Sequence, residues 1–381
     1  MLVLLLVAGI LITACSGTPT AIATIPASTA TIESVTVTQE PSPTPDAFQV
    51  TFDSALLAVP PEACNSAYAG LIRSVAATDA HTVAFTLCRP DAAFLFRVAL
   101  PAFSIYPSEW IASTAADGAR TADALEHPIG TGPYQVSDWT RGESITLTAN
   151  PDYWGGSPAV SKLIIRWSAD PEARLAELQA GIVDGIDNVN PKDYETVRSD
   201  ALLALLERPA LNSLHLDAAV LVPLADAAHA LTAVAYRADV SHPQASALGY
   251  EMFSRSAPGG RDAFIWLQAT EPASLFCADE WDADALRICA QVNESLYRLD
   301  SETGTVEPAL AEACTPNNDK TVWTCALRQN VKFQDGSDFD AADVVATFNM
   351  GLNPDSSSHA GSTNQWKFYD AFWGLMKTSG N

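Results

Sequence analysis

Cysteine carries the most specific chemistry in this chain. Apart from Cys15, the six remaining cysteines fall into local pairs. These pairs are Cys64 with Cys88, Cys277 with Cys289, and Cys314 with Cys325. An even number favours disulfides in an exported chain, although spacing alone permits other connectivities. Zinc is the alternative, but no C-x-x-C pair or suitably placed histidine accompanies the cysteines. We therefore predict three local disulfides.

The pair Cys314 and Cys325 has the clearest structural context. The residues ACTPNNDKTVWTC indicate a strand, a polar turn at Thr315 to Lys320, and a second strand. A hairpin of this kind places the two thiols opposite each other. Closing a short loop of this size contributes roughly 2–4 kcal/mol to stability.

The motifs of common catalytic sites do not occur. The sequence contains no G-x-S-x-G nucleophile elbow, no H-E-x-x-H zinc pair and no Walker-type phosphate loop. The chain has 45 Asp and Glu residues, but any acidic protein offers carboxylate pairs. The acidic run 335–349 lacks the ligand order of a calcium loop. We expect a protein that is not an enzyme and needs no metal or cofactor.

The first residues are typical of an exported lipoprotein. Met1 to Ala14 is an apolar stretch of signal-peptide length, too short for a permanent membrane span. Leu11 to Ala14, before Cys15, resemble a lipoprotein processing site, and this resemblance implies that Cys15 is lipidated. No basic residue precedes the apolar stretch, so we expect the true start upstream of Met1. The alternative is a buried hydrophobic segment.

Residues 16–47 are rich in Thr, Ser and Pro and show no sustained strand or helix period. Such a segment buries too little apolar area to offset the entropy of ordering, so we predict a flexible tether. The tether would keep the following body outside the cytoplasm and near the membrane. The formal net charge of −24 argues against nucleic acid and disfavours an anionic membrane surface as partner.

The rest of the chain, from Phe48 onward, is long enough for two or three domains and has an α/β pattern. Strands are predicted within Ser74 to Leu87, at Ile145 to Ala149 and at Leu163 to Trp167. Helices are predicted after three capping residues, namely Asp170, Asn190 (with a helix from Pro191 to Ser199) and Asp340.

Several long segments resemble a single family. The segments 130–139, 149–158 and 174–189 resemble the larger lobe of extracytoplasmic solute-binding proteins of family 5, which serve peptide, nickel and related ABC importers. VEPALAEAC, from Val306, and the downstream segments that end at Asn349 resemble the beginning of their mature chains. The segment 262–280 resembles their first strand and the loop after it, and 221–240 resembles their final segment.

The order of these segments differs from that of the family, so the chain resembles a circularly permuted member. In family order it reads 262–381, then 46–217, then 218–253. In chain order, the predicted parts are a signal peptide and lipidation cysteine at 1–15, a tether at 16–47, the second part of a small domain at 48–97, the larger α/β lobe at 98–260, the first strand and ligand-proximal loop at 261–280, and the first part of the small domain at 281–381. We expect Asn381 to lie near Phe48.

A second difference lies near residues 217–221, where the family usually carries a whole second lobe. The resemblance therefore implies a periplasmic-binding-protein-like fold of type II. This fold comprises a larger lobe with a mixed sheet and helices, and a small additional domain, while the second, ligand-closing lobe is largely absent. Such a chain offers at most half of a closing cleft. In peptide binders the aspartate that meets the peptide amino group lies in that lobe, so no residue receives this role.

The resemblance places candidate ligand contacts on the loop after the first strand, at Ala269, Thr270, Glu271, Pro272, Ala273 and Ser274. Asn212 and His215 are candidates at the edge of the cleft, and Trp154 is a candidate for stacking on a ligand. Each candidate has a structural alternative: a solvated turn for the loop, satisfied core polar residues for Asn212 and His215, and packing for Trp154.

These features predict a monomeric, lipid-anchored substrate-binding component of an ABC importer. It would capture oligopeptides or a similar small solute in the periplasm or at the cell surface and deliver them to permease subunits. The alternative is a lipid-anchored remnant or scaffold that does not transport. An open, aromatic-lined concavity at the place of the second lobe would distinguish a working carrier from a remnant.

Overall fold

The computed structural model describes residues 48–66, 68–116, 119–208, 232–300 and 303–377. These residues form a seven-stranded sheet, a six-stranded sheet, two short ribbons and surrounding helices, which confirms the predicted α/β class. Cys15, the tether, Asn212, His215, Asn381 and the junction near 217–221 lie outside the described residues. No helix in the described ranges combines the length and the apolar character that a membrane span needs.

The strands, in chain order, are β1 Thr51–Asp53, β2 Leu56–Ala58, β3 Ile72–Asp79, β4 Thr82–Leu87, β5 Ala115–Ala116, β6 Ala119–Arg120, β7 Tyr134–Thr140, β8 Ser144–Ala149, β9 Lys162–Trp167, β10 Gly185–Ile186, β11 Leu203–Glu207, β12 Ala233–Arg237, β13 Ala263–Gln268, β14 Tyr297–Leu299, β15 Val306–Pro308, β16 Ala311–Pro316 and β17 Val322–Leu327.

The helices, in chain order, are α1 Ala63–Ser66, α2 Phe94–Arg97, α3 Ser108–Thr114, α4 Ala122–Glu126, α5 Pro171–Gln179, α6 Tyr194–Ser199, α7 Ala283–Val292, α8 Ala341–Leu352 and α9 Lys367–Phe372. Two 3-10 turns, Pro101–Phe103 and Pro191–Asp193, accompany them.

The seven-stranded sheet is mixed and has the order β11-β12-β10-β13-β9-β8-β7. Strand β13 lies between β10 and β9 and runs parallel to both, whereas the other neighbours are antiparallel. On one face Phe264 and Trp266 pack with Ile288 of α7, and on the other Leu267 packs with Leu178 of α5. Strand β13 is apolar on both sides because both faces of the sheet are covered.

The six-stranded sheet is antiparallel and draws its strands from both halves of the chain. Its order is β1-β2-β3-β4-β17-β16, so the late strand β17 pairs with the early strand β4. An aromatic core lies between this sheet and α8, where the Phe85 ring lies 5.1 Å from both Phe94 and Phe348. Residues far apart in sequence therefore form one hydrophobic core.

The predicted cysteine pairs are all joined. The structure contains the disulfides Cys64–Cys88, Cys277–Cys289 and Cys314–Cys325. The last bond crosses the β16–β17 hairpin at directly opposed residues, as the strand–turn–strand pattern predicted. The bridges close short segments of the chain, which restricts the unfolded ensemble.

The local capping signals are confirmed with one difference. Asp170 accepts a hydrogen bond from the Glu172 amide and begins α5. Asn190 accepts from the Lys192 amide, but the predicted helix from Pro191 begins as a 3-10 turn and becomes α-helical only at Tyr194. Tighter 3-10 geometry is frequent in the first turn of a helix, and sequence pattern does not distinguish it from an α-helix.

The start of α8 contains a reciprocal capping box. Asp340 accepts from the Ala342 amide at 2.7 Å, and Asp343 accepts from the Asp340 amide at 2.9 Å. Asp343 also accepts from the Ser108 amide at 2.8 Å and so joins α8 to α3. Burial raises the pKa of the Asp343 carboxyl to about 6.

We expect this raised pKa to make stability depend on pH. Protonated Asp343 is favoured in the folded state, so its stabilising contribution is complete below pH 3.8, the ordinary pKa, and is lost as pH rises to about 6. Asp343→Asn should remove this component, which amounts to about 3 kcal/mol at most. Urea unfolding of both proteins from pH 4 to 7 measures the difference. If the free energies of unfolding of the two proteins changed with pH in the same way, Asp343 would not be the source of the pH dependence.

Candidate functional site

The loop at residues 269–274 leaves the carboxyl end of β13, beside the ends of the parallel strands β9 and β10. Loops at this edge of an open α/β sheet are common places for ligands. Thr270 donates to the Asp284 carboxylate through its amide at 2.8 Å and its hydroxyl at 2.6 Å. The first turn of α7 thus fixes the beginning of the loop, while Thr270 and Ala273 remain exposed.

Glu271 is held by the turn between β7 and β8. The indole of Trp139 donates to its carboxylate at 3.1 Å, and the Gly142 amide donates at 3.2 Å to each oxygen. The Arg141 guanidinium lies 3.7 Å away and also donates to the Pro272 carbonyl at 3.3 Å. The carboxylate predicted to meet a ligand is therefore used to hold the loop.

Ser274 faces the interior at the end of the loop. Its hydroxyl donates to Glu280 at 2.5 Å, and Ser362 donates to the same carboxylate oxygen at 2.7 Å. Burial raises the pKa of the Glu280 carboxyl, and the two hydroxyl donors oppose this shift. Ser274 therefore has a structural partner and connects the loop to the segment before α9.

Asp279 accepts hydrogen bonds from four consecutive backbone amides, Thr363 to Trp366, at 2.5 to 3.0 Å. Its side chain is buried, and the amides replace the water that the carboxylate loses. The segment that follows the 269–274 loop is thereby fixed against the segment before α9.

A buried ionic network lies beneath the loop and is centred on Arg287 of α7. The Arg287 side chain is 0% exposed and donates to Glu251 at 2.8 Å, Asp284 at 2.6 Å and Asp187 at 2.8 Å. Asp284 is the residue that holds Thr270, so the charge on Arg287 is connected to the loop through one carboxylate. A buried ion is tolerated only when such partners surround it.

Arg208 completes the network from the residue after β11. It donates to Glu251 and to Asp187, each at 2.7 Å. Burial alone would raise the pKa of Asp187, but the Arg287 and Arg208 guanidinium groups lower it to about 2. Burial raises the pKa of Asp284 despite its contact with Arg287. The network thus joins Asp187 after β10, Arg208 after β11, Glu251 and α7 into a buried ionic floor under the 269–274 loop.

The family model for bacterial extracellular solute-binding proteins, family 5, matches residues 41–239 and 305–372. This match covers more than half of the chain. The chain belongs to that family. Its α/β architecture with a mixed sheet is the fold that the sequence resemblance implied.

Individual members of this solute-binding family match a smaller part of the chain. Di/tripeptide-binding protein 4 of Pseudomonas aeruginosa (strain UCBPP-PA14) is 36% identical over 141 residues, which are 37% of this chain and 26% of that protein. The dipeptide-binding protein of Escherichia coli (strain K12) is 34% identical over 37% of this chain and 26% of its own length. The chain therefore spans about a quarter of these relatives.

Solved structures also match over part of their length. The structure of HbpA2 from Haemophilus parasuis has a TM-score of 0.34 and 34% identity, covering 36% of this chain and 27% of that one. The periplasmic binding protein DppA from Helicobacter pylori, in complex with the peptide STSA, has a TM-score of 0.34 and 25% identity over 36% of this chain and 27% of its own.

In this family member Trp154 belongs to a different cluster from the 269–274 loop. Its indole donates to Glu294 at 2.7 Å, and the Arg328 guanidinium lies 3.9 Å from the centre of its ring. Tyr153 donates to the other oxygen of Glu294 at 3.1 Å. The structure therefore gives Trp154 a packing role and does not bring it together with the other described candidates.

The sequence reasoning missed the ionic network. Arg287 had one local signal, because it is a lone cation in the otherwise largely apolar helix ALRICAQV. Asp187 and Glu251 had none, since they lie 100 and 36 residues from Arg287. Within the ranges that the structure covers, no group of three His, Cys, Asp or Glu side chains forms a potential metal site.

We expect Arg287→Met to destabilise the protein by about 3–5 kcal/mol, because it leaves buried carboxylates without their cation. Lys192→Met is the control, since Lys192 forms an exposed pair with Glu172 and its loss should not change stability measurably. Urea unfolding measures both effects, and hydrogen exchange at the Thr270 amide reports the loop. Equal stability of the two variants would contradict the role of the network.

Proposed function

We propose that this chain is the substrate-binding component of an ABC importer. It captures oligopeptides or a similar small solute outside the membrane and delivers them to a permease. Family membership supports this function. One structural observation supports the 269–274 loop as the binding site: the loop lies at the carboxyl edge of the mixed sheet, above the buried ionic network of Arg287. Such a floor fixes backbone groups in place before a ligand arrives, which lowers the entropic cost of binding.

Peptide is the proposed ligand class because three of the matched relatives are named for dipeptides or tripeptides. The contacts proposed for this chain are Ala269, Thr270, Glu271, Pro272 and Ser274, with Asn212 and His215 at the edge and Trp154 in a separate packing position. The polar groups of Thr270, Glu271 and Ser274 already have protein partners, so the exposed surface of Ala273 and Thr270 provides the proposed first contacts.

The proposed location is outside the cytoplasm, with Cys15 lipidated and residues 16–47 as the tether. Three disulfides support an oxidising compartment. The proposed protein is a monomer that reaches the membrane only through its lipid and contacts permease subunits there. Incorporation of radiolabelled palmitate in expressing cells, and its loss in Cys15→Ala, tests the anchor.

We also propose that the chain is circularly permuted, with the second lobe largely absent near 217–221. Strand β13 follows β9 and β10 in sequence but lies between them in the sheet. The two ends of the described body meet: the Leu71 amide donates to the Trp373 carbonyl at 2.5 Å, and the Phe48 ring lies 5.8 Å from Tyr68. Tyr68 in turn donates to the Gly374 carbonyl at 3.2 Å.

The proximity of the two ends can be measured in solution. Spin labels on unnatural amino acids at Gln49 and Lys377, both exposed, should give a single short distance. Permuted ends are tolerated when they are close and on the surface. A long or broad distance distribution would reject the permuted arrangement.

Peptide binding is tested by calorimetric titration with mixed dipeptides and tripeptides. Ala273→Trp should weaken binding by about tenfold or more, because a bulky ring would occupy the exposed face of the loop. Ala112→Trp is the matched control, since Ala112 is an exposed alanine of α3. If the unaltered protein binds no peptide, the carrier proposal fails. If both variants weakened peptide binding equally, the proposal that the binding site lies on the 269–274 loop would be wrong.

A further inference from the structure

The 269–274 loop is held at each end by one buried carboxylate. At its beginning, Thr270 donates through its amide at 2.8 Å and through its hydroxyl at 2.6 Å to the same oxygen of Asp284, Oδ2. At its end, the Ser274 hydroxyl donates to Oε1 of Glu280 at 2.5 Å. Asp284 and Glu280 are only 7% and 3% exposed, so water does little to screen their charges. The position of the loop therefore depends on the charge of two buried side chains.

The two ends of the loop respond differently to a proton. A hydroxyl can donate or accept, so Ser274 and Ser362, which also donates to Glu280 at 2.7 Å, can turn and bond to a protonated Glu280. A backbone amide can only donate, so the Thr270 amide needs an acceptor at every pH. Hydrogen bonds to a charged carboxylate are roughly twice as strong as those to a neutral group. Protonation of Asp284 therefore weakens the beginning of the loop, whereas the end can keep its bonds.

A second carboxyl group lies beside Asp284 and can share its proton. Asp187, the residue after β10, is within hydrogen-bond reach of Asp284. Both contact the guanidinium of Arg287, Asp187 at 2.8 Å and Asp284 at 2.6 Å. Two neighbouring carboxylates take up a first proton more readily than either would alone, because the proton removes their mutual repulsion. The other charged groups of this network are Glu251, Arg208 and, on α5, Arg174.

Asp284 is the member of this pair that takes the proton. Burial raises the pKa of the Asp284 carboxyl, Arg287 opposes this shift, and the negative charge of Asp187 adds to it. Against the effect of burial, Arg287 and Arg208 hold the pKa of Asp187 at about 2. The bond from Thr270 favours the charged form of Asp284, so proton uptake and bonding to Thr270 compete. Lowering the pH therefore favours the freed loop.

We propose that Asp284 is a positioning residue for the 269–274 loop, and that uptake of one proton by the Asp187–Asp284 pair frees the beginning of the loop. A freed loop must be ordered again when a ligand binds, so acid lowers the affinity for peptide. This effect on peptide binding rests on the proposed importer function. The release of the loop does not, because it follows from contacts within the protein.

Hydrogen exchange measured by NMR from pH 7 to pH 4 tests the release of the loop. The protection factor of the Thr270 amide, corrected for the intrinsic exchange rate, should fall by about tenfold as the pH is lowered. The Leu275 amide is the internal control, because it donates at 2.7 Å to the Leu125 carbonyl, which does not titrate in this range. Constant protection of the Thr270 amide, or an equal fall at both amides, would overturn the proposal.

Two variants assign the effect to Asp284. Asp284→Asn is neutral at every pH, so the Thr270 amide should be poorly protected already at pH 7, and its protection should no longer change with pH. Asp123→Asn is the matched control, since Asp123 is also an aspartate in the first turn of a helix, and it should keep the original profile. An unchanged pH profile in Asp284→Asn would contradict the role of Asp284. If this variant does not fold, the exchange profile of the unaltered protein decides.

Calorimetric titration with mixed dipeptides and tripeptides at pH 7 and pH 4 tests the consequence for the ligand. The unaltered protein should bind peptide about tenfold more weakly at pH 4, whereas Asp284→Asn should bind equally at both values. Equal binding by the unaltered protein at both values, despite release of the Thr270 amide, would overturn the positioning role. If no peptide binds at either pH, the importer proposal fails, while the exchange profile still decides whether Asp284 holds the loop.

Discussion

The structure depends on the buried guanidinium of Arg287. It contacts three carboxylates, Glu251, Asp187 and Asp284, which come from three different parts of the chain. None of these ions is stable in the interior without the others, since each has lost its water. The position of α7 against the seven-stranded sheet is therefore determined by charge as well as by apolar packing, and the loop after β13 is fixed through Asp284.

The contacts between the strands do not depend on the order of the segments along the chain. Strand β13 needs apolar cover on both faces and hydrogen bonds from β9 and β10, and both requirements are independent of where the chain begins. Strand β17 likewise pairs with β4 although most of the chain separates them. Spatial complementarity decides the fold, while chain order decides only which loops connect the strands.

The 269–274 loop is held by contacts between its polar side chains and the rest of the protein. Glu271 accepts a hydrogen bond from Trp139, and Ser274 donates one to Glu280. The family resemblance placed candidate ligand contacts on this loop, whereas only the structure shows that two of these side chains already have protein partners.

The sequence by itself determined the features that depend on near neighbours. The caps at Asp170 and Asp340 and the Cys314–Cys325 hairpin involve residues within about a dozen positions, so their side chains and turns reveal them. Only the tertiary structure decided the partners of Glu271, Trp154 and Arg287, which lie 132, 140 and 100 residues away at Trp139, Glu294 and Asp187. Contacts over such separations leave no local pattern, because folding alone brings those side chains together.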